Sequence, residues 1–172
     1  MRQYIALGFT HILPKGVDHI LFVIGLFLLS TSLRTVLMQV TAFTVAHSIT
    51  LGLSIYGIVA LPPSIVEPLI ALSIAYVAIE NLITRELHAW RIGVVFLFGL
   101  LHGLGFAGVL RELGLPRNEF LTALVSFNGG VEFGQISVIA AAALVTAPLV
   151  KSARYRRFVV VPASLVIAAI GI

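Results

Sequence analysis

The feature that most limits this chain is the near absence of charge inside its long apolar runs. Stretches at about 17–33, 36–58, 65–83, 92–110, 120–148 and 157–172 consist almost wholly of aliphatic, aromatic and small side chains. Each approaches the roughly 20 residues needed to cross the hydrocarbon of a bilayer. There every backbone amide must be satisfied within the protein, and a continuous apolar run does this as a helix. Composition points the same way: 10% of residues are charged, against about 25% in an ordinary soluble domain. The expectation is an all-α, polytopic transmembrane bundle of about six spans, one domain over residues 1–172. A soluble enzyme, a nucleic-acid binder and a disordered regulator are excluded, because none can hide so much apolar surface. The bilayer is the first partner. Nucleic acid is not one, since the eleven Lys and Arg are scattered or flank the runs. The absence of cysteine rules out disulfides, Fe–S clusters and thiolate metal sites.

Residues 1–13 are also apolar but short, and Pro14 and Gly16 interrupt them before the first run. They read as a short N-terminal interfacial or re-entrant helix packed on the bundle. A cleaved signal peptide is not expected, because there is no charged n-region followed by a long apolar core and a small-residue cleavage site. Cations in alternate connections set the orientation. One side holds Arg34, Arg85, Arg91, Lys151, Arg154, Arg156 and Arg157; the other holds Arg2, Lys15, Arg111 and Arg117. The first side is expected to be cytoplasmic, with the N-terminus outside. In the turn at Pro62–Pro63, Ser64 can cap the third span. Gly99 and Gly103 have the four-residue spacing that lets helix backbones approach closely.

An ionisable group inside a span costs several kcal/mol, so each needs a partner or a watery cavity. The candidates are Asp18 and His19 at the outer end of the first span, His47 in the second, Glu80 in the third, His102 in the fourth and Glu132 in the fifth. Asn128, Glu132 and Gln135 fall at i, i+4 and i+7, one stripe of one helix face. His47, Thr50 and Ser54 cluster likewise. Such stripes should turn inward towards each other. Imidazoles and carboxylates converging in a bundle suit a divalent ion such as Ni²⁺, Co²⁺ or Zn²⁺. Plainer readings compete at each position. A single polar residue can be an interhelical hydrogen bond worth about 0.6 kcal/mol, Asp18 can cap its helix and Glu80, with Arg85 a little more than a turn beyond, can reach the cytoplasmic interface. Glu67 is explained by the helix dipole, and His88 reads as an interfacial loop residue. The densest cluster runs from His11 to Asp18 and His19; Gly16 permits a bend that brings His11 back over them. Adjacent Asp18 and His19 cannot share one helix face, so one is expected to ligate and the other to support.

These residues resemble the HupE/UreJ family of hydrogenase and urease accessory membrane proteins, in particular its second branch. The resemblance rests on Gly8-Phe-Thr-His11-Ile through Gly16-Val-Asp18-His19-Ile-Leu-Phe22, then Thr44-Val-Ala-His47-Ser48, Leu101-His102-Gly-Leu-Gly-Phe106 and Ser126-Phe-Asn128-Gly-Gly-Val-Glu132-Phe-Gly-Gln135. It covers nearly the whole chain. The nickel-permease branch has His-Pro at the start and one residue fewer before its Asp-His pair, whereas here Pro14 is displaced and Lys15 inserted. The resemblance implies a bacterial inner-membrane protein of six to eight helices that takes up nickel or cobalt as a secondary permease. It also implies that His11, Asp18 and His19 serve transport, with Glu80, His102 and Glu132 assigned by weaker analogy.

The expected function is a non-ATP permease for a divalent metal, Ni²⁺ or Co²⁺ before Zn²⁺, and not an enzyme. Capture would occur at His11, Asp18 and His19, passage at a midplane site of His47, His102, Asn128 and Glu132, and release near Glu80. No phosphate-binding loop is present. The alternative is a small accessory or structural subunit of a larger membrane complex, its polar groups serving only to pack helices against other subunits or a second copy. A metalloenzyme is disfavoured by the lack of paired histidines one turn apart and of HExxH.

Overall fold

The computed structural model describes residues 1–30, 32–112 and 120–171, with backbone alone for 106–112. The described residues form helices and no strand. In chain order these are α1 (Arg2–Ile12), α2 (Val17–Leu29), α3 (Leu33–Ile55), α4 (Pro63–Ile83), α5 (Arg91–Glu112) and α6 (Phe120–Thr146). A π-helical turn (Arg156–Val160) then leads directly into α7 (Val161–Ile170). Every apolar run read from the sequence is therefore helical, but not every run is long enough to cross. Helices α3, α4 and α6 pass by length and composition, and α1 with α2 passes as one broken unit bent by 71°. Among the described residues the structure supports three to four spans where the sequence predicted about six. For α2 and α7 the reason is length. Helix α2 has 13 residues, about 20 Å at 1.5 Å per residue, short of a roughly 30 Å hydrocarbon core. Helix α7 has 10 residues; α5, with 22 residues, has the length to cross.

The break between α1 and α2 follows from local chemistry. Pro14 has no N–H to continue α1 and disfavours helical backbone in the residue before it. Leu13 is accordingly extended, at φ −118° and ψ 115°. The chain then closes on itself, with the Gly16 N–H donating to the Ile12 carbonyl at 3.2 Å. A side chain at Gly16 would overlap the His11 carbonyl, so the bend needs glycine there. At the start of α4, Pro63 fills the first helical position with its preset φ. Ser64 makes no capping bond, contrary to the sequence expectation.

Helix α2 lies at the centre of the bundle and touches α1, α3, α4, α6 and α7. The closest pairings are α3 with α5 and α1 with α6. In the first, a Cβ at Gly99 would overlap the Phe43 carbonyl and one at Gly103 would overlap the His47 carbonyl and the Thr50 hydroxyl. The four-residue glycine spacing thus does what the sequence predicted, drawing α5 onto α3 and placing the His102 ring 5.0 Å from that of Phe43. Tight approach of this kind is how helices associate where lipid supplies no hydrophobic driving force between them.

Gly103→Ala should therefore push α5 off α3 and destabilise the protein by about 1–3 kcal/mol. Gly93 on the same helix has nothing within 4 Å of an added Cβ, so Gly93→Ala should leave the melting temperature unchanged or slightly raised. Thermal unfolding of both variants in detergent checks the pair.

Candidate metal centre

The break places ligand groups on both of its flanks. His11 sits on the last turn of α1, while Asp18 and His19 sit on the first turn of α2. The bend brings the His11 and His19 rings to 4.6 Å between centroids. His47 of α3 lies 6.0 Å from His19, and His102 of α5 lies 4.9 Å from it. Two triads result, His11–His19–His47 and Asp18–His19–His102, each with its donor atoms within 4.8 Å of one another. His19 belongs to both and is 2% exposed. His47 lies about 21 Å from the start of α3 and about 12 Å from its end by helical rise, so the cluster sits deep in the bundle. The sequence reading kept an outer capture site and a midplane site apart. The fold merges them, because the helix break itself lies deep within the bundle.

The sequence expected one of Asp18 and His19 to ligate and the other to support; both side chains reach the cluster, with Asp18 Oδ1 at 3.2 Å from His19 Nδ1. At the second residue of a helix no preceding turn fills the space over the break, so neighbouring side chains can converge. Asp18 makes no helix-capping bond, and its capping role is not what the fold uses.

Two of the imidazoles are oriented by a fixed hydrogen-bond chain. The Asn128 amide Nδ2 donates to the Leu124 carbonyl at 2.9 Å, which leaves its Oδ1 facing His47 Nδ1 at 3.0 Å. An amide oxygen only accepts, so Nδ1 must carry the proton and Nε2 keeps its lone pair. The Ser73 hydroxyl donates to the Ile70 carbonyl at 2.7 Å and contacts His102 Nε2 at 3.0 Å. With that hydroxyl proton committed, His102 Nε2 donates and Nδ1 is bare. Both bare atoms, His47 Nε2 and His102 Nδ1, are buried without a hydrogen-bond partner. This is how metal-ligating histidines are usually supported: the outer N–H is tied down and the inner nitrogen is aimed at the ion. Asn128 was expected as a ligand, but its oxygen is committed to His47, so its place is in support. Phe22, Phe43 and Phe127 wall the cluster, with Phe43 stacked 6.2 Å from His47 and Phe22 5.3 Å from His102.

Asp18 also faces outward. Together with Glu67 and the apolar residues Leu21, Ile70 and Ile74, it lines a cleft of about 300 Å³. Spacing could not reveal this, because Glu67 stands 49 positions from Asp18 on another helix and looks like an ordinary first-turn acid. Glu132 lies outside both triads. Its Oε1 accepts from the Thr41 hydroxyl at 2.6 Å, and one turn on the Thr44 hydroxyl donates to Gln135 Oε1 at 2.9 Å. The predicted stripe of α6 therefore does turn inward, each member meeting α3. Glu132 Oε2 and Gln135 Nε2 remain buried without partners. Glu80 is also outside the triads. It pairs with Arg91 (Nε to Oε2, 3.4 Å), both nearly fully buried, rather than with Arg85. The neighbouring Asn81 accepts from Arg91 at 3.5 Å and donates to the Gly25 carbonyl at 2.8 Å. Glu80 thus helps tie α2, α4 and α5 together, and its carboxylate is already used.

Compared with known proteins, the chain matches the sequence model of a family described as HupE / UreJ protein over residues 1–172, its whole length. No curated protein and no solved structure matches it.

The hydrogen-bond chains fix opposite tautomers. Long-range ¹H–¹⁵N spectra of histidine-labelled protein at neutral pH should show His47 protonated at Nδ1 and His102 at Nε2, and Asn128→Leu should erase the His47 preference. For the buried pair, Arg91→Met alone strands Glu80 and should cost about 3–5 kcal/mol. Adding Glu80→Gln should restore much of it, as read by denaturation in detergent.

Proposed function

Because the chain belongs to the HupE/UreJ family, we propose that it is a secondary permease for a divalent transition metal, with the broken α1–α2 helix at its transport site. The observation that carries this is the pair of overlapping triads, His11–His19–His47 and Asp18–His19–His102, which bring four histidines and Asp18 from four helices together around the buried His19. An unpaired divalent ion in low dielectric is prohibitively costly. Imidazole nitrogens held in advance take the place of its hydration waters. All-nitrogen and oxygen ligation fits Ni²⁺, Co²⁺ and Zn²⁺, and Ni²⁺ or Co²⁺ is our reading. Nitrogens around an ion at about 2.1 Å stand roughly 3–4 Å apart, so triads spread over as much as 4.8 Å must contract slightly to hold it. A site that is not already closed suits transport, where binding must be favourable enough to admit an ion and weak enough to release it. Discontinuous helices at mid-depth are a recurrent way of building such sites.

The route we propose begins at the Asp18–Glu67 cleft on the outer side and passes through the histidine cluster. It then follows the α3–α6 polar ladder from His47 through Thr44 to Thr41 and Glu132, about 9 Å along α3. Glu132 thereby takes the inner position that the sequence reading gave to Glu80. The chain would lie in a bacterial inner membrane with its N-terminus outside, following its cation distribution.

Purified protein in nanodiscs should bind Ni²⁺ or Co²⁺ saturably, and Asp18→Ala combined with His19→Ala should abolish binding with helical circular dichroism intact. Asn128→Ala should weaken binding about 10–100-fold. In proteoliposomes, Glu132→Gln should retain binding and lose uptake. Failure of folded protein to bind Ni²⁺, Co²⁺ or Zn²⁺ would overturn the permease and return the chain to an accessory-subunit role.

A further inference from the structure

Away from the histidines, the densest charge lies in the connection 147–155 and the π-helical turn after it. There Arg85, just beyond α4, and Arg156 and Arg157, on the π-helical turn, line one cavity of about 400 Å³ with Ala153 and Val161. Arg156 holds the two segments together. Its guanidinium donates to the Thr84 carbonyl at 3.1 Å and to the Leu82 carbonyl at 2.8 Å, satisfying backbone left over where α4 ends. Carbonyl oxygens orient that cation but do not neutralise it. Among the described residues the ion pairs are Asp18–His19 and Glu80–Arg91. Three positive charges therefore share one cavity without a carboxylate paired to any of them.

The residues around the cavity have the character of a membrane interface. Phe158, next to Arg157, is an exposed apolar ring, with the Arg157 guanidinium 5.6 Å over it. Trp90, in the connection that begins beside Arg85, is exposed as interfacial indoles usually are. A cationic cavity flanked by an exposed apolar ring matches a molecule with a phosphate at one end and hydrocarbon at the other. The positive-inside rule explains why cations accumulate on this side. It does not explain why three arginines from two segments line one cavity.

We infer that the Arg85–Arg156–Arg157 cavity binds the phosphate headgroup of an anionic phospholipid, with the lipid's acyl chain against the apolar surface of the π-helical turn and α7. Basic pockets between helices at a membrane surface have this chemistry. The site is independent of the metal reading and would survive its failure.

The test is native mass spectrometry of protein purified in mild detergent and titrated with phosphatidylglycerol or with phosphatidylcholine of the same chains. Phosphatidylglycerol should be retained in preference. Arg85→Gln and Arg157→Gln should each lower its affinity about fivefold, and excess inorganic phosphate should not displace it. Arg156 is left intact because it secures the end of α4. Each single variant is read separately, and its melting temperature in phosphatidylcholine alone confirms folding. Lys151→Gln removes the same charge from outside the cavity and should leave retention unchanged. Equal retention of the two lipids, an equal loss in Lys151→Gln, or no loss in either arginine variant would overturn the proposal. Displacement by phosphate would overturn it too, assigning the cavity to a soluble anion.

Discussion

Helix α1 stops inside the bundle because Pro14 cannot donate the next hydrogen bond and Gly16 lets the chain turn where any side chain would strike the His11 carbonyl. Everything distinctive about the centre depends on that interruption. An uninterrupted helix would hold His11 and His19 eight residues apart, about 12 Å along its axis; the 71° bend brings their rings to 4.6 Å. It also frees the first turn of α2 from a preceding turn, which is why both Asp18 and His19 reach the same point. The arrangement is held by close backbone contacts on either side: Gly8 and Gly130 where α1 meets α6, and Gly99 and Gly103 where α5 meets α3. Small residues that look like mere packing therefore set the distances within the site.

The polar groups of the core divide by whether their bonding capacity is spent. Asn128 and Ser73 use their hydrogen bonds to fix the tautomers of His47 and His102, leaving one bare nitrogen on each. Glu80 and Asn81 use theirs on Arg91 and on α2, while Arg91 keeps Nη1 without a partner. A buried ion pair of this kind adds little net stability, but losing either partner strands a charge. Glu132 and Gln135 are half spent, each holding one bond to α3 and one buried atom with none. In a low-dielectric interior, unspent capacity is expensive. Much of it lies on the residues of the proposed route, and the rest on Gln39, Arg91 and Ser164.

Two sequence arguments carried over well, for reasons that are local. The i, i+4, i+7 stripe of α6 turned inward because the apolar remainder of that helix left the polar face only other helices to meet. The Gly99–Gly103 spacing predicted close approach because nothing larger fits there. The argument about Glu80 did not carry over, since proximity in sequence favoured Arg85 while the fold supplies Arg91 from the next helix. Glu67 could not have been recognised from spacing, because the wall it shares with Asp18 exists only once α2 and α4 are side by side.

The sequence by itself determined that this is a helical membrane protein, where its helices lie, which ionisable residues fall within them and to which family the chain belongs. These follow from hydropathy, from the cost of charge in lipid and from motifs contiguous in the chain. The tertiary structure alone decided that the residues of the two expected sites form triads sharing His19, and which of three acids stands among the histidines. The physical reason is that coordination and ion pairing act over a few ångströms between side chains from different helices. Hydropathy acts residue by residue, and it places a group at a depth without naming its neighbour.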